Sequence, residues 1–290
     1  MRPLDVLRAL AVVAIWGINF SVSKFALRQF HPITAMAIRF TLVALVLVPW
    51  RRLPWAQARP VLAYSFVLGG LHFPLVFSGL MGCSAAAASV AIQLQVPFAS
   101  LMAAVFFKDR LGWRRAAGMV AAIAGVGIIA YHPGGTDDPA HLGLVVLAAA
   151  AFAFSSIQLK WMPAMDPYTL NGYMALFAMP QLVLMSALLE DGQWAAIQTA
   201  PPAAWASILF MGLVSTILAY VLWFPLMQRY AVNQTMPFML LVPVFGVAGG
   251  VILLGEPLSW HLAAGTLVTI AGVGVVLLRR PRLVTARTAS

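Results

Sequence analysis

Residues 111–127 read LGWRRAAGMVAAIAGVG, and residues 258–274 read LSWHLAAGTLVTIAGVG. The two align without a gap at an offset of 147: Leu111 meets Leu258, Trp113 meets Trp260, Gly118 meets Gly265, and Ile123-Ala124-Gly125-Val126-Gly127 meets Ile270-Ala271-Gly272-Val273-Gly274. Self-similarity at a fixed separation marks a duplicated structural unit. Upstream the correspondence continues, with Pro97 against Pro243 and Ser89 against Thr235. Near the start of each half, Lys24 and Pro32-Ile33-Thr34 face Lys160 and Pro167-Tyr168-Thr169.

The composition says what the unit is made of. The chain is 62% hydrophobic and 9% charged, against roughly 45–50% and 25% in soluble domains. Its apolar residues fall into stretches long enough for a helix to cross about 30 Å of hydrocarbon. Spans are predicted at 6–25, 33–50, 61–80, 84–107, 113–131, 142–161, 168–189, 204–227, 233–254 and 261–278. The expected fold is therefore an all-α integral membrane protein of ten transmembrane helices. The first five-helix repeat occupies residues 1–131, a connecting loop 132–141, and the second repeat with a basic tail 142–290.

The formal charge of +10 does not point to nucleic acid, because the cations sit at span ends rather than in aromatic-interleaved patches. Fifteen of the 18 Lys and Arg residues fall on one side if the amino terminus is cytoplasmic. The positive-inside rule thus predicts both termini in the cytoplasm. Arg2 and Arg8 before an apolar run resemble a signal peptide, but no small-residue cleavage pattern follows before Lys24, so a retained first helix is expected. A lone Cys83 excludes an internal disulfide framework.

Five is odd, so two consecutive copies enter the membrane from opposite sides. Inverted repeats are characteristic of transporters, where similar halves facing opposite ways can open one central site alternately to each side. Duplication retained for packing alone is the alternative.

Trp16-Gly17-Ile18-Asn19-Phe20, the run from Pro32 to Arg39, Pro97 followed by Lys108-Asp109-Arg110-Leu111, and Pro243 followed by Gly255-Glu256-Pro257-Leu258 together resemble the EamA family of the drug/metabolite transporter superfamily. Within it, the chain is most similar to exporters of amino acids, including aromatic ones, in the bacterial inner membrane. The resemblance implies a central cavity bounded by the third, fourth, eighth and ninth helices with parts of the first and sixth. It also implies peripheral fifth and tenth helices that often support dimers, leaving monomer and homodimer both open. Small residues at Gly118, Ala122, Gly125 and Gly127, and at Gly265, Gly272 and Gly274, suit close helix approach.

Polar side chains in hydrocarbon are costly, which makes them candidates for the substrate path. Those selected are Trp16, Asn19, His72, Gln93, Gln95, Ser155, Gln158, Tyr220, Trp223 and Thr235. Each has a plainer reading. His72 can bond a neighbouring carbonyl, Trp16 and Trp223 can face lipid, and the hydroxyls can bond back to their own helices. Gln93 and Gln95 lie two residues apart, so at most one is expected to face the cavity squarely. Lys24 and Lys160 can snorkel or contact anions at the gates, whereas Arg39 is expected to snorkel outward or pair with an outer-loop acid. Pro74, Pro97, Pro180, Pro225, Pro237 and Pro243 lie inside spans and can kink them.

No Asp or Glu occupies the middle of any predicted span, which disfavours proton-coupled drug efflux. Scattered His residues, with no His-Glu-x-x-His run, phosphate-binding loop or paired-cysteine ligand set, argue against an enzyme and against ATP hydrolysis. No metal or cofactor is expected. The expected function is export of amino acids and related small metabolites across the lipid bilayer by alternating access. Nucleobases, sugars, lipid-linked precursors and, lower in rank, proton-coupled multidrug export remain alternatives.

Overall fold

In a computed structural model the chain is built of helices, with no strand among the described residues. These are residues 1–109, 111–131, 137–230 and 232–278, the side chains of 232 and 233 excepted. Arg110, residues 132–136 of the 132–141 loop and the tail arginines Arg279, Arg280, Arg282 and Arg287 lie outside them. Among the described residues, ten helices are long and apolar enough to span a membrane: α1 (Pro3–Leu27), α2 (Pro32–Trp50), α3 (Trp55–Gly82), α4 (Ala85–Phe107), α5 (Trp113–Ala130), α6 (Pro139–Trp161), α7 (Pro167–Leu189), α8 (Pro202–Arg229), α9 (Met236–Leu254) and α10 (Trp260–Leu278). Each corresponds to one expected span. The largest difference is at α3, which begins at the exposed Trp55, several residues before the apolar run.

Local chemistry sets the ends. Proline occupies the first turn of α1, α2, α6, α7 and α8, where its missing N–H has no intrahelical acceptor to lose. Left-handed residues stop α4 and α9 at repeat-equivalent places, Lys108 with φ 55° and Gly255 with φ 68°. Glycine takes that conformation freely, whereas lysine pays roughly 1 kcal/mol for its Cβ.

The helices around the centre are irregular in matched pairs. π-Helical segments interrupt α3 at Leu68–His72 and α8 at Phe210–Leu218. A 3-10 segment lies at Ile92–Leu94 in α4, and another at Met236–Leu241 opens α9. Such segments break the i→i−4 ladder and re-aim side chains. Pro97 and Pro243 follow the two 3-10 segments closely.

Packing repeats the duplication. α1 packs on α8 and α9, as α6 packs on α3 and α4; α3 packs on α7, as α8 packs on α2; and α2 pairs with α7, α4 with α9, and α5 with α10. Advancing every helix number by five maps this pattern onto itself. The α5–α10 contact is the most extensive, and the small residues make it so. A Cβ added to Gly272 would lie 2.5 Å from Ala122 N and from Gly118 O, and one on Gly125 would lie 2.3 Å from Thr269 Oγ1. Gly118, Ala122, Gly125, Gly265 and Gly272 thus let these two helices approach inside the chain, whereas a Cβ on Gly127 would meet nothing within 4 Å.

The connections gather at two ends. One end, called proximal, carries the amino terminus and the α2–α3, α4–α5, α6–α7 and α8–α9 connections; there Asp5 meets Arg229 and Tyr230, and Arg51 meets Asp166. The other, called distal, carries the remaining connections. There Glu190 accepts from Ile33 N (2.7 Å), Thr34 N (2.9 Å) and Thr34 Oγ1 (2.7 Å) at the start of α2. Likewise Glu256 accepts from Ala85 N (2.7 Å) and Ala86 N (3.0 Å) at the start of α4. Both carboxylates thus satisfy first-turn N–H groups that have no intrahelical acceptor and meet the positive end of a helix dipole.

Candidate functional site

A cavity of about 590 Å³ lies among the irregular helices. Its lining comes from α1 to α4 and α6 to α9, while α5 and α10 contribute nothing to it. It continues through Met162, Pro163, Ala164 and Met165 of the proximal α6–α7 connection, and among the described residues none of a distal connection lines it. The lining therefore reaches the proximal end.

Seven of the ten sequence candidates line this cavity: Trp16, Asn19, His72, Gln93, Gln95, Ser155 and Tyr220. Trp16 does not face lipid; its Nε1 donates to Ser215 O at 3.0 Å, and its ring meets Tyr220 and Trp223 edge-on. Asn19 leaves Oδ1 buried without a partner. His72, at the end of the π-helical turn of α3, donates from Nδ1 to Ala148 O at 2.8 Å and packs between Phe73 and Phe152. A neutral ring so bonded keeps Nε2 as an acceptor. Tyr220 stacks on Phe224 at 5.0 Å.

Gln93 and Gln95 both belong to the wall, though only one of them was expected to face the cavity squarely. The 3-10 turn at Ile92–Leu94 narrows their angular separation from about 160° to about 120°. Gln93 also donates to Met239 O at 3.1 Å, tying α4 to α9. Ser155 and its neighbour Ser156 line the wall but bond back to Phe152 O.

The other three candidates lie elsewhere. Gln158 turns to Ala63 O, Trp223 is buried with Ala9, Val12, Ala219 and Leu226, and Thr235 is fully buried with its hydroxyl directed at Met227 Sδ. A hydropathy reading places residues at a depth in the membrane but not around a helix, which is where Gln158 and Trp223 differ from the wall residues; Thr235 precedes α9.

Arg39 is the wall residue that sequence reasoning assigned elsewhere. It neither snorkels nor meets an acid. Seven residues inside α2, about 10 Å from its start, it is 4% exposed and lines the cavity. Nη2 donates to Thr216 Oγ1 at 2.7 Å across the two halves, and the guanidinium carbon lies 4.9 Å from the Phe73 ring centroid. The signal was a charge within an apolar span, a stronger site marker than any hydroxyl. Tyr64, Asn171 and Thr216 also line the cavity without having been singled out.

Lys24 and Lys160, the repeat-related lysines, take different places. Lys24 Nζ donates to Cys83 O at 2.6 Å, capping the end of α3, whereas Lys160 lies over the Phe107 ring at 4.8 Å.

Ten helices long and apolar enough to span a membrane, with a cavity walled by both halves, are the build of a multi-pass membrane protein. The chain belongs to the EamA-like transporter family, which matches residues 4–131 and again residues 141–278. It is 31% identical over 282 residues, 94% of each chain, to a probable amino-acid metabolite efflux pump of Salmonella typhimurium. It is 29% identical, over the same share of each chain, to a protein of that name from Escherichia coli. A probable terminal-alkyne amino-acid exporter of Streptantibioticus cattleyicolor is 30% identical over 82% of this chain and 79% of that one. A crystal structure with 20% identity superposes with a TM-score of 0.62 over 96% of this chain and 98% of its own, and so shares the fold.

Proposed function

We propose that the chain exports amino acids and related small metabolites from the cytoplasm of a bacterial cell through its inner membrane, by alternating access and without ATP hydrolysis. The observation that carries this reading is a cavity walled by both halves whose lining reaches the proximal connection at residues 162–165, while at the distal end carboxylates join helix starts. With both termini cytoplasmic, as the distribution of Lys and Arg favours, the cavity faces the cytoplasm and is placed to load a substrate for export.

The two five-helix halves then lie in opposite orientation, and the exchanged packing pattern supports this. Outward opening exchanges the roles of related groups: the Glu256 contact with α4 breaks, and Asp109, its repeat mate, meets the start of α9. The π and 3-10 segments of α3, α4, α8 and α9 are where the helices bend. Trp16, Asn19, His72, Gln93, Gln95, Ser155 and Tyr220 act as substrate contacts, with aromatic faces for apolar side chains and neutral donors and acceptors for polar ends.

Counterflow in proteoliposomes, with each of the twenty amino acids inside and its labelled form outside, tests the reading. Labelled substrate is expected to accumulate transiently for a subset of them without ATP. No accumulation for any amino acid would remove the proposed substrate class.

A further inference from the structure

Arg39 carries the one fixed charge among the described lining residues, and the cavity wall supplies no Asp or Glu to meet it. An arginine presents five N–H donors in a planar fork. Here one of them has an oxygen acceptor, Thr216 Oγ1; Nη1 has Met36 Sδ at 3.9 Å, and Nε has no partner. Around it stand the rings of Phe40, Phe73 and Phe77. A cation held in an apolar wall without a counter-ion is an unfavourable arrangement that an arriving anion relieves. A carboxylate suits the guanidinium fork, which it can take in a bidentate pair.

The rest of the wall is neutral. An ammonium entering the cavity meets acceptors such as Asn19 Oδ1 and aromatic faces such as Trp16 and Tyr220, but no counter-charge. The two ends of an amino acid are therefore read unequally.

Resting on the reading of this cavity as the transport site, we propose that Arg39 is the carboxylate anchor, and that the site requires a carboxylate while leaving the α-amino group dispensable. Small apolar monocarboxylates without an amine are then substrates alongside amino acids, and the corresponding amines and amides are not. Thr216 is a positioning residue: from the π-helical segment of α8 it holds the guanidinium of α2 towards the cavity.

The test uses the full-length protein in proteoliposomes and four probes of one size: phenylalanine, 3-phenylpropionate, phenethylamine and phenylalaninamide. Each is assayed by counterflow and by the melting shift it gives the purified protein. Phenylalanine and 3-phenylpropionate are expected to half-saturate within about tenfold of each other, and the two probes without a carboxylate at concentrations at least about tenfold higher. In Arg39→Gln that discrimination disappears, in Arg39→Lys part of it survives, and in Thr216→Val it survives with weaker binding. A monodisperse elution profile and helical circular dichroism establish that each variant is folded. The wild-type probe series stands even if a variant does not fold.

Equal binding of phenethylamine and 3-phenylpropionate would overturn the anchor, as would Arg39→Gln retaining the discrimination. Arg39-dependent exchange of 3-phenylpropionate with no amino acid transported would leave the anchor standing and remove the amino-acid reading. Amino-acid exchange at the wild-type rate in Arg39→Gln would do the reverse. No binding or exchange of any probe would overturn the anchor too.

Discussion

Glu256 and Asp109 occupy equivalent places in the two halves, each one residue after a left-handed residue that ends a helix. Glu256 reaches the start of α4 and accepts two backbone N–H groups there; Asp109 makes no hydrogen bond or ion pair among the described residues. Lys24 caps α3, while its mate Lys160 lies over an aromatic ring. Similar sequences thus build a distal end joined by carboxylate-to-helix contacts and a proximal end joined by ion pairs, the buried Asp5 with Arg8 and Arg229 and the half-exposed Arg51 with Asp166 at 3.6 Å. The half-exposed pair is worth little because water competes for both partners. Among the described residues the cavity lining reaches the end where no carboxylate of one helix connection meets the start of another helix, although the two halves repeat in sequence.

The largest way to disturb that comparison is Glu190→Ala. It removes acceptors from Ile33 N, Thr34 N and the Thr34 and Ser186 hydroxyls. A loss of about 3 kcal/mol is expected at this joint, with Ile33 and Thr34 amides exchanging about a hundredfold faster by hydrogen exchange. Glu256→Gln comes next. Cys83, the sole cysteine and 2% exposed, sits beside that joint, and its reaction with a membrane-impermeant maleimide should quicken about tenfold. Asp109→Asn should leave this rate unchanged, since Asp109 closes nothing in the present conformation.

Pro97→Ala bears on how the ends communicate. Pro97 follows the 3-10 turn of α4, between the distal joint at Ala85–Ala86 and the proximal stop at Lys108. Restoring the lost N–H should stiffen α4 and slow counterflow several-fold, with protein still reaching the membrane; an unchanged rate would count against a hinge there. The smallest effect is at Asp138 in the distal α5–α6 connection. A hydrogen bond from His141, and then one from Ala140 N, hold its carboxyl below the ordinary 3.8. Its contribution is complete above about pH 3.8 and is lost as pH falls through the lowered value. Between about pH 5 and pH 3, the wild type should therefore lose slightly more thermal stability than Asp138→Asn.

The ten helices were legible because membrane thickness dictates their length, and an apolar run of that length needs no partner to be recognised. The duplication was legible because Gly118, Gly125, Gly265 and Gly272 are held by close backbone approach, which tolerates little substitution. The site was only partly legible. Arg39 depends on Thr216, 177 residues away in the other half, and no local pattern reports such a contact. Gln93 and Gln95 share the wall because a 3-10 turn changes the helical phase, which a 3.6-residue reading does not anticipate. Glu190 and Glu256 lie in short breaks between spans, and the N–H groups they satisfy belong to distant helices, so no local pattern reports these contacts.

If the molecule works as proposed, the cavity opens to the side that bears the amino terminus and is shut at the distal end. The most direct test is the reactivity of a single cysteine placed at Ser156, on the cavity wall, with Cys83 replaced by alanine. An impermeant maleimide is applied to oriented vesicles, and protease access to an amino-terminal tag identifies the side. Rapid labelling is expected from the side of the amino terminus, and labelling slower by at least about tenfold from the other. Equal labelling from both sides, or faster labelling from the distal side, would contradict it.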